Sequence, residues 1–232
     1  MPENKKLTNR LLKALPKNEY QKLLPKFERI ELVFNENIYN PGDVISDVYF
    51  PESGIISLLS AVEANSTLEV GIIGNEGMLG IPVFLGVKIS NNRAVVQGAG
   101  SALKMAASDF LDECKNPELL KILQRFTHSL IVQISQSAAC NRFHEIEPRL
   151  ARWLLMTGDR MHADEFQITQ EFLSNMLGVR REAVSKAATR LQEQELISYS
   201  RGNLSILNRR GLENAACNCY KIIKQDYDDF LD

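Results

Sequence analysis

At Pro117 the hydrophobic pattern of this chain changes period, and that change restricts the fold more than any other feature. Downstream, Leu119, Leu123, Phe126, Leu130, Ile134 and Ser137 recur at steps of three and four, which is one face of a single helix running for about 25 residues. Lys121, Gln124, Arg125 and Gln133 surround the stripe. At 1.5 Å per residue the helix spans about 38 Å, more than a domain of this size covers. Its apolar face can lie on its own domain or pair with a second copy of the chain, and the length favours pairing. The helix is expected to break near Glu147-Pro148, because proline disfavours helix in the residue before it. Pro148 then suits the first turn of a new helix, Arg149 to Met156 and slightly beyond.

Upstream of Pro117 the character is different. Leu7, Leu11, Leu12 and Leu15 give residues 1–33 short helical pieces, interrupted at Pro16. From Phe34 to Met105, short β-branched runs (Ile55-Ile56, Val70 to Ile73, Val95-Val96) alternate with turn signals. The signals fall at Pro41-Gly42-Asp43, Pro51-Glu52-Ser53-Gly54 and Gly86, and Pro82 is a further proline of the region. Many short punctuated strands predict a sandwich or barrel-like roll. Gly71, Gly74, Gly77 and Gly80 fall every third residue; they serve as bends in a tight roll or as places where a ligand phosphate approaches the backbone.

The chain of 232 residues is 44% hydrophobic and 24% charged, which excludes a disordered tail and a fibrous repeat. Its apolar runs, such as Leu154-Leu155-Met156, fall far short of the ~20 residues of a membrane helix. Met1 to Lys6 opens onto no signal-peptide core, so a cytoplasmic protein without a membrane partner is expected. Cys114, Cys140, Cys217 and Cys219 read as free thiols of a reducing compartment. Cys217-Asn218-Cys219 is not a C-x-x-C, and His128, His144 and His162 show no shared ligand spacing, so no metal site is expected.

Net charge is −2, from 27 basic and 29 acidic residues, which argues against a bulk nucleic-acid binder. The charges are unevenly placed, however. Arg180, Arg181, Lys186, Arg190, Arg201, Arg209 and Arg210 outnumber Glu182, Glu193 and Glu195 between positions 178 and 210. This patch coincides with a helix-turn-helix pattern. Thr169 is a candidate N-cap, with Glu171 favourable in the first turn. Phe172, Leu173, Met176 and Leu177 form an apolar face, and Gly178 supplies the turn. A second helix follows with Val184, Ala187 or Ala188, and Leu191 inward. That leaves Arg180, Arg181, Ser185 and Lys186 at its exposed N-terminal half, the end such a helix inserts into the major groove. Arginine grips guanine O6 and N7, and glutamate accepts from cytosine N4, so Arg181 and Glu182 offer opposite base-reading groups on one turn. Leu196 to Ile206 reads as a hairpin turning at Arg201-Gly202-Asn203, a wing that brings Arg201 to a phosphate.

Three further stretches complete a resemblance that runs from about Leu11 to Leu212: Tyr39-Asn40-Pro41-Gly42-Asp43, Val48-Tyr49-Phe50-Pro51-Glu52-Ser53-Gly54-Ile55-Ile56-Ser57 and Arg149-Leu150-Ala151-Arg152-Trp153-Leu154. With Gly178 to Lys186 they make the chain resemble the cyclic-AMP receptor protein/fumarate-nitrate regulator (Crp/Fnr) family of bacterial transcription factors, to which the catabolite activator protein also belongs. The resemblance implies an α+β fold: a cyclic-nucleotide-binding-like β-roll (jelly roll) with N-terminal helices over 1–116, a dimerisation helix over 117–147 and a winged helix-turn-helix over 148–232. It implies a non-enzymatic homodimer on palindromic double-stranded DNA, with RNA polymerase as a further partner. Arg181, Glu182 and Lys186 hold the base-reading positions of the family motif, and Thr169, Gln170, Arg180, Ser185 and Arg201 the rest of the DNA surface. The family often has serine where this chain has Arg180, so an N-cap oxygen is exchanged for a cation.

The effector half of the resemblance is incomplete. Cyclic-AMP binders have a glycine-glutamate pair, then some ten residues on an arginine and a small residue. Arg93-Ala94 matches the second pair, but Gly77-Met78 and Gly80-Ile81 lack the glutamate, and Glu76 precedes instead. Gly77, Met78, Gly80, Arg93 and Ala94 are thus the candidate effector residues, with a cyclic nucleotide as the cofactor the cassette only partly supports. The N-terminal cysteine cluster of an oxygen-sensing iron–sulfur centre is also missing. Two rivals remain: a ligand-sensing roll whose C-terminal helices dock a protein partner, and a cupin-like enzyme. The absence of histidine from 34–105 counts against a metal-dependent cupin.

Overall fold

The structure is a computed structural model that describes residues 9–63 and 66–231. Leu7 of the first leucine stripe lies outside the described residues. The stripe continues as α1 (Arg10–Lys13), whose Leu11 and Leu12 are fully buried. Pro16 stops it and caps α2 (Lys17–Leu23); the 3-10 turn Leu24–Lys26 leads into the roll.

The roll is an antiparallel sheet in the order β1 (Glu28–Leu32), β5 (Arg93–Ala106), β3 (Asp47–Glu63), β4 (Ser66–Ile73), with β2 (Asn37–Tyr39) also on β5. Apolar residues pair across the centre, Val48 with Met105, Phe50 with Leu103 and Ile56 with Val96, so one face is sealed as core. Pro41-Gly42 and Gly86 are turns, as expected, but Pro51 to Gly54 is not. That segment stays inside β3, where the register with β5 shifts repeatedly and Gly54 has φ +83°. Bulges accommodate these residues by bending one long strand rather than ending it. Pro82 lies in the short helix α3 (Ile81–Phe84), which follows Gly80.

After α4 (Ala107–Glu113), the long helix α5 runs Pro117–Phe143, opened by the Asn116 side chain accepting from the Glu118 N–H. It ends four residues before the expected boundary of 147, and α6 occupies Ile146–Met161, so Pro148 lies in the first turn of α6. Proline is tolerated there because that turn's N–H groups have no intrahelical acceptor. The stripe assigned to pairing is used within the chain: Leu119, Leu123, Phe126 and Leu130 are 2%, 0%, 0% and 7% exposed. They pack on β4 and on α10 (Cys219–Leu231), a helix that no motif in the sequence analysis marked. Among the described residues, no helix is long and apolar enough to cross a membrane.

The C-terminal part places β6 (Glu165–Gln167), α7 (Gln170–Leu177), α8 (Arg181–Glu193), β7 (Ile197–Ser200), β8 (Asn203–Ile206) and α9 (Arg209–Ala215) after α6. Its small antiparallel sheet has the order β6-β8-β7.

Candidate nucleic-acid interface

Thr169 caps α7, its Oγ1 accepting the Phe172 N–H at 3.1 Å. The helix stops at Gly178, φ +61°, a left-handed conformation that side chains disfavour. A Cβ at Gly178 would also meet Leu68 Cδ1 of β4 at 2.7 Å. Three residues later α8 begins, at Arg181. Arg180 occupies its N-cap with no side-chain hydrogen bond to the helix, so the exchange of a capping oxygen for a cation takes place as expected. Val184, Ala187, Ala188 and Leu191 are buried. Arg180, Arg181, Glu182 and Lys186 are exposed, and Ser185 is half-buried.

Strands β7 and β8 meet through Arg201 and Gly202, with φ +51° and +83°, the paired positive values of a tight two-residue hairpin turn. Two bonds fasten this wing to the entry of α7: Tyr199 Oη donates to the Ile168 carbonyl at 2.8 Å, and the Ile168 N–H donates to the Gly202 carbonyl at 2.6 Å. Burial pushes the Tyr199 phenol up, so it remains a neutral donor. Thr169, Gln170, Arg181, Tyr199, Arg201 and Gly202 together line a cleft of about 310 Å³. Arg181 Nε donates a long 3.4 Å bond to Gln170 Oε1 there. Behind the cleft, buried Arg149 of α6 donates to the Leu177 carbonyl and supports the end of α7.

The winged unit rests against the roll. The Phe34 and Phe172 rings are 5.8 Å apart, and Gln97 Nε2 of β5 donates to Thr157 Oγ1 of α6 at 3.0 Å. Trp153 Nε1 donates to Glu69 Oε1 at 2.8 Å. Arg160 Nε pairs with Glu76 Oε1 at 2.7 Å, both side chains being under a tenth exposed. Glu76, the acidic neighbour of the candidate effector glycines, is therefore engaged by the chain's own arginine.

The five candidate effector residues do not line one open cavity. Met78 and Ala94 are fully buried. A Cβ on Gly77 would fall 2.2 Å from the Phe126 ring of α5, so the space left by that glycine admits a helix of the same chain. Gly80 turns the chain into α3 with φ +112°. Arg93 is half-buried and donates to Asn37 Oδ1 at 2.5 Å.

The sequence reading missed a second cluster. Cys140 and His144 at the end of α5, and Cys217 and Cys219 before and at the start of α10, bring one donor atom each within 4.8 Å of one another. Cys140-to-His144 spacing, one turn of the long helix, was the local signal; the fold supplies the other two.

Residues 148–215 match the Crp-like helix-turn-helix domain, and the roll, long helix and winged helix-turn-helix together have the fold of solved Crp/Fnr-family regulators. A curated relative is the global nitrogen regulator of Nostoc sp., 22% identical over 215 residues, covering 88% of this chain and 93% of that protein. Among solved structures, the c-di-GMP responsive global regulator CLP of Xanthomonas campestris superposes with TM-score 0.68 at 14% identity, over 82% of this chain and 99% of that one. FixK2 of Bradyrhizobium japonicum gives 0.67 at 15%, over 82% and 98%.

Proposed function

We propose that this protein acts as a homodimer on a palindromic DNA site, each α8 entering the major groove, with no catalytic activity of its own. The observation that carries this is the convergence of Thr169, Gln170, Arg181 and Arg201 from α7, α8 and the wing on one open cleft. Arg181, Glu182 and Lys186 read base edges; Thr169, Gln170, Arg180, Ser185 and Arg201 hold the phosphates on either side. Two recognition helices one DNA turn apart, about 34–36 Å, fix the half-site spacing.

In this reading residues 1–116 sense, 117–147 dimerise and 148–232 bind DNA in the cytoplasm, with RNA polymerase as the partner that converts binding into regulation. An effector at the roll acts through the Glu69–Trp153 and Glu76–Arg160 contacts, which a rotation of the winged unit must break. A cyclic nucleotide, the class named for the Xanthomonas relative, would have to displace Phe126 from Gly77 to use the candidate residues.

Genomic DNA capture with purified protein, sequenced with and without cyclic nucleotides, tests the proposal. A palindrome should be enriched. Arg181→Ala should relax preference at one guanine per half-site and cost about 1–3 kcal/mol per half-site. Unchanged sequence preference in that variant, or no enrichment at all, would favour a helical tail that docks a protein.

A further inference from the structure

We infer that Cys140, His144, Cys217 and Cys219 form a closed mononuclear zinc site that staples the start of α10 to the end of α5. The four donors lie within 4.8 Å of one another, with Cys140 Sγ 3.4 Å from Cys217 Sγ and Cys219 Sγ 3.7 Å from His144 Nδ1. A tetrahedron built on Zn–S bonds of ~2.3 Å sets its sulfurs about 3.8 Å apart, so these separations are those of one ion's coordination sphere. A two-iron cluster divides four ligands between two metals and needs a wider set. Three thiolates with one imidazole select a soft, tetrahedral divalent ion over calcium or magnesium. Four protein donors leave no position for substrate, so the ion's role is structural or regulatory.

A second observation is independent of the donor geometry. Two arginines of α6, Arg149 and Arg152, are each 6% exposed, and the Nε of each is buried without a hydrogen-bond partner. Both lie near enough to Cys140 and Cys217 to interact with them electrostatically. Among neutral thiols these cations are poorly compensated, and buried charge without compensation is costly. Three thiolates, a neutral histidine and a divalent cation sum to one negative charge, which offsets one of the two and lessens the cost of burying both.

The position gives the ion a mechanical consequence. Cys140 and His144 end the long helix just before the break into α6, whereas Cys217 and Cys219 lie beyond the winged unit. The ion thus closes a loop of chain around the joint between α5 and the DNA-binding part. Loss of the ion, or oxidation of its thiolates, frees α10 from the face of α5 that it covers.

The full-length chain, purified under reducing conditions, should retain one Zn²⁺ per chain after exhaustive dialysis. Co²⁺ replacement should give the intense visible bands of a tetrahedral site with thiolate charge transfer in the near ultraviolet. Cys219→Ser and His144→Ala should each weaken metal affinity by about a hundredfold or more, with helical circular dichroism unchanged. His144 is exposed, so its replacement leaves the core intact if Cys219→Ser does not fold. A reduced wild-type chain that keeps no zinc, an octahedral Co²⁺ spectrum, or full retention by both variants would overturn the site. So would a Cys140–Cys217 disulfide in freshly isolated protein that, once reduced, takes up no metal. None of these readouts depends on DNA binding, so failure here leaves the proposed function standing.

Discussion

The guanidinium of Arg160 lies over the Tyr227 ring, 5.3 Å from its centroid, while its Nε holds Glu76 and its Nη1 donates to the Met156 carbonyl. Removing it strands the Glu76 carboxylate in a site with almost no water. Arg160→Met should therefore cost about 3–5 kcal/mol in urea unfolding, and adding Glu76→Gln should recover part of that loss through non-additivity. Glu69 is a different case. Ser57 Oγ lies 2.7 Å from Glu69 Oε2 and 2.6 Å from Gln97 Oε1, while Gln97 donates its amide to Thr157. One serine proton cannot serve both oxygens, so a protonated Glu69 completes the chain. Desolvation accordingly pushes its carboxyl up to about 7, against the pull of Ser57, Trp153, Arg152 and Arg160. Well below pH 4 the proton is bound in both folded and unfolded chains; from there to about 7 only the folded chain keeps it. This group's contribution to stability therefore falls as pH rises through that window and is lost above it. Glu69→Gln should flatten that part of the pH dependence when unfolding is compared at about pH 5 and about pH 8.

Helix α5 has two working faces. The inner one, through Leu123 and Phe126, is closed by the roll and α10. The outer one presents Gln124, His128, Ile131, Ser135, Ala138 and Arg142, all exposed and alternating at steps of four and three. That four-three spacing is the one a two-helix seam would use, with Ile131 58% exposed at its centre. If the dimer forms here, Ile131→Glu places like charges across the two-fold axis. The dimer constant should then weaken at least about tenfold, about 1.4 kcal/mol, in sedimentation experiments, with the monomer's melting temperature preserved. The apolar stripe was assigned to pairing and is instead covered within the chain, because a hydrophobic pattern records that a face is covered and not by which partner.

For the molecule as a whole, net charge is close to zero, so long-range attraction to DNA has to come from the cations gathered around α8 and the wing. Binding should fall steeply as salt rises, as counterion release demands. Arg201→Ala should lower the slope of log affinity against log salt by about one per half-site while leaving base preference intact. Titrations at several salt concentrations measure both. An unchanged slope would remove Arg201 from the phosphate contacts. The roll bears on the same surface, since Leu68 abuts Gly178 at the turn between α7 and α8.

Local chemistry alone determined the elements of the helix-turn-helix and its wing. The Thr169 cap, the Gly178 turn, the buried face through Val184 and Leu191, and the Arg201-Gly202 hairpin are each set by a few neighbouring residues, and each is found where the pattern put it. The same holds for the start of α5 at Pro117, whereas the roll's predicted short strands are joined into the long β3 and β5. Tertiary structure decided what meets across the chain. It kept Pro51 to Gly54 within a bulged β3, laid α10 on the leucine stripe, filled the space beside Gly77 with Phe126 and gave Glu76 to Arg160. It also brought Cys217 and Cys219 to Cys140 and His144. These contacts join residues tens of positions apart, and local propensity carries no term for them; they form because packing two layers and a helix around one core leaves no other place for those groups.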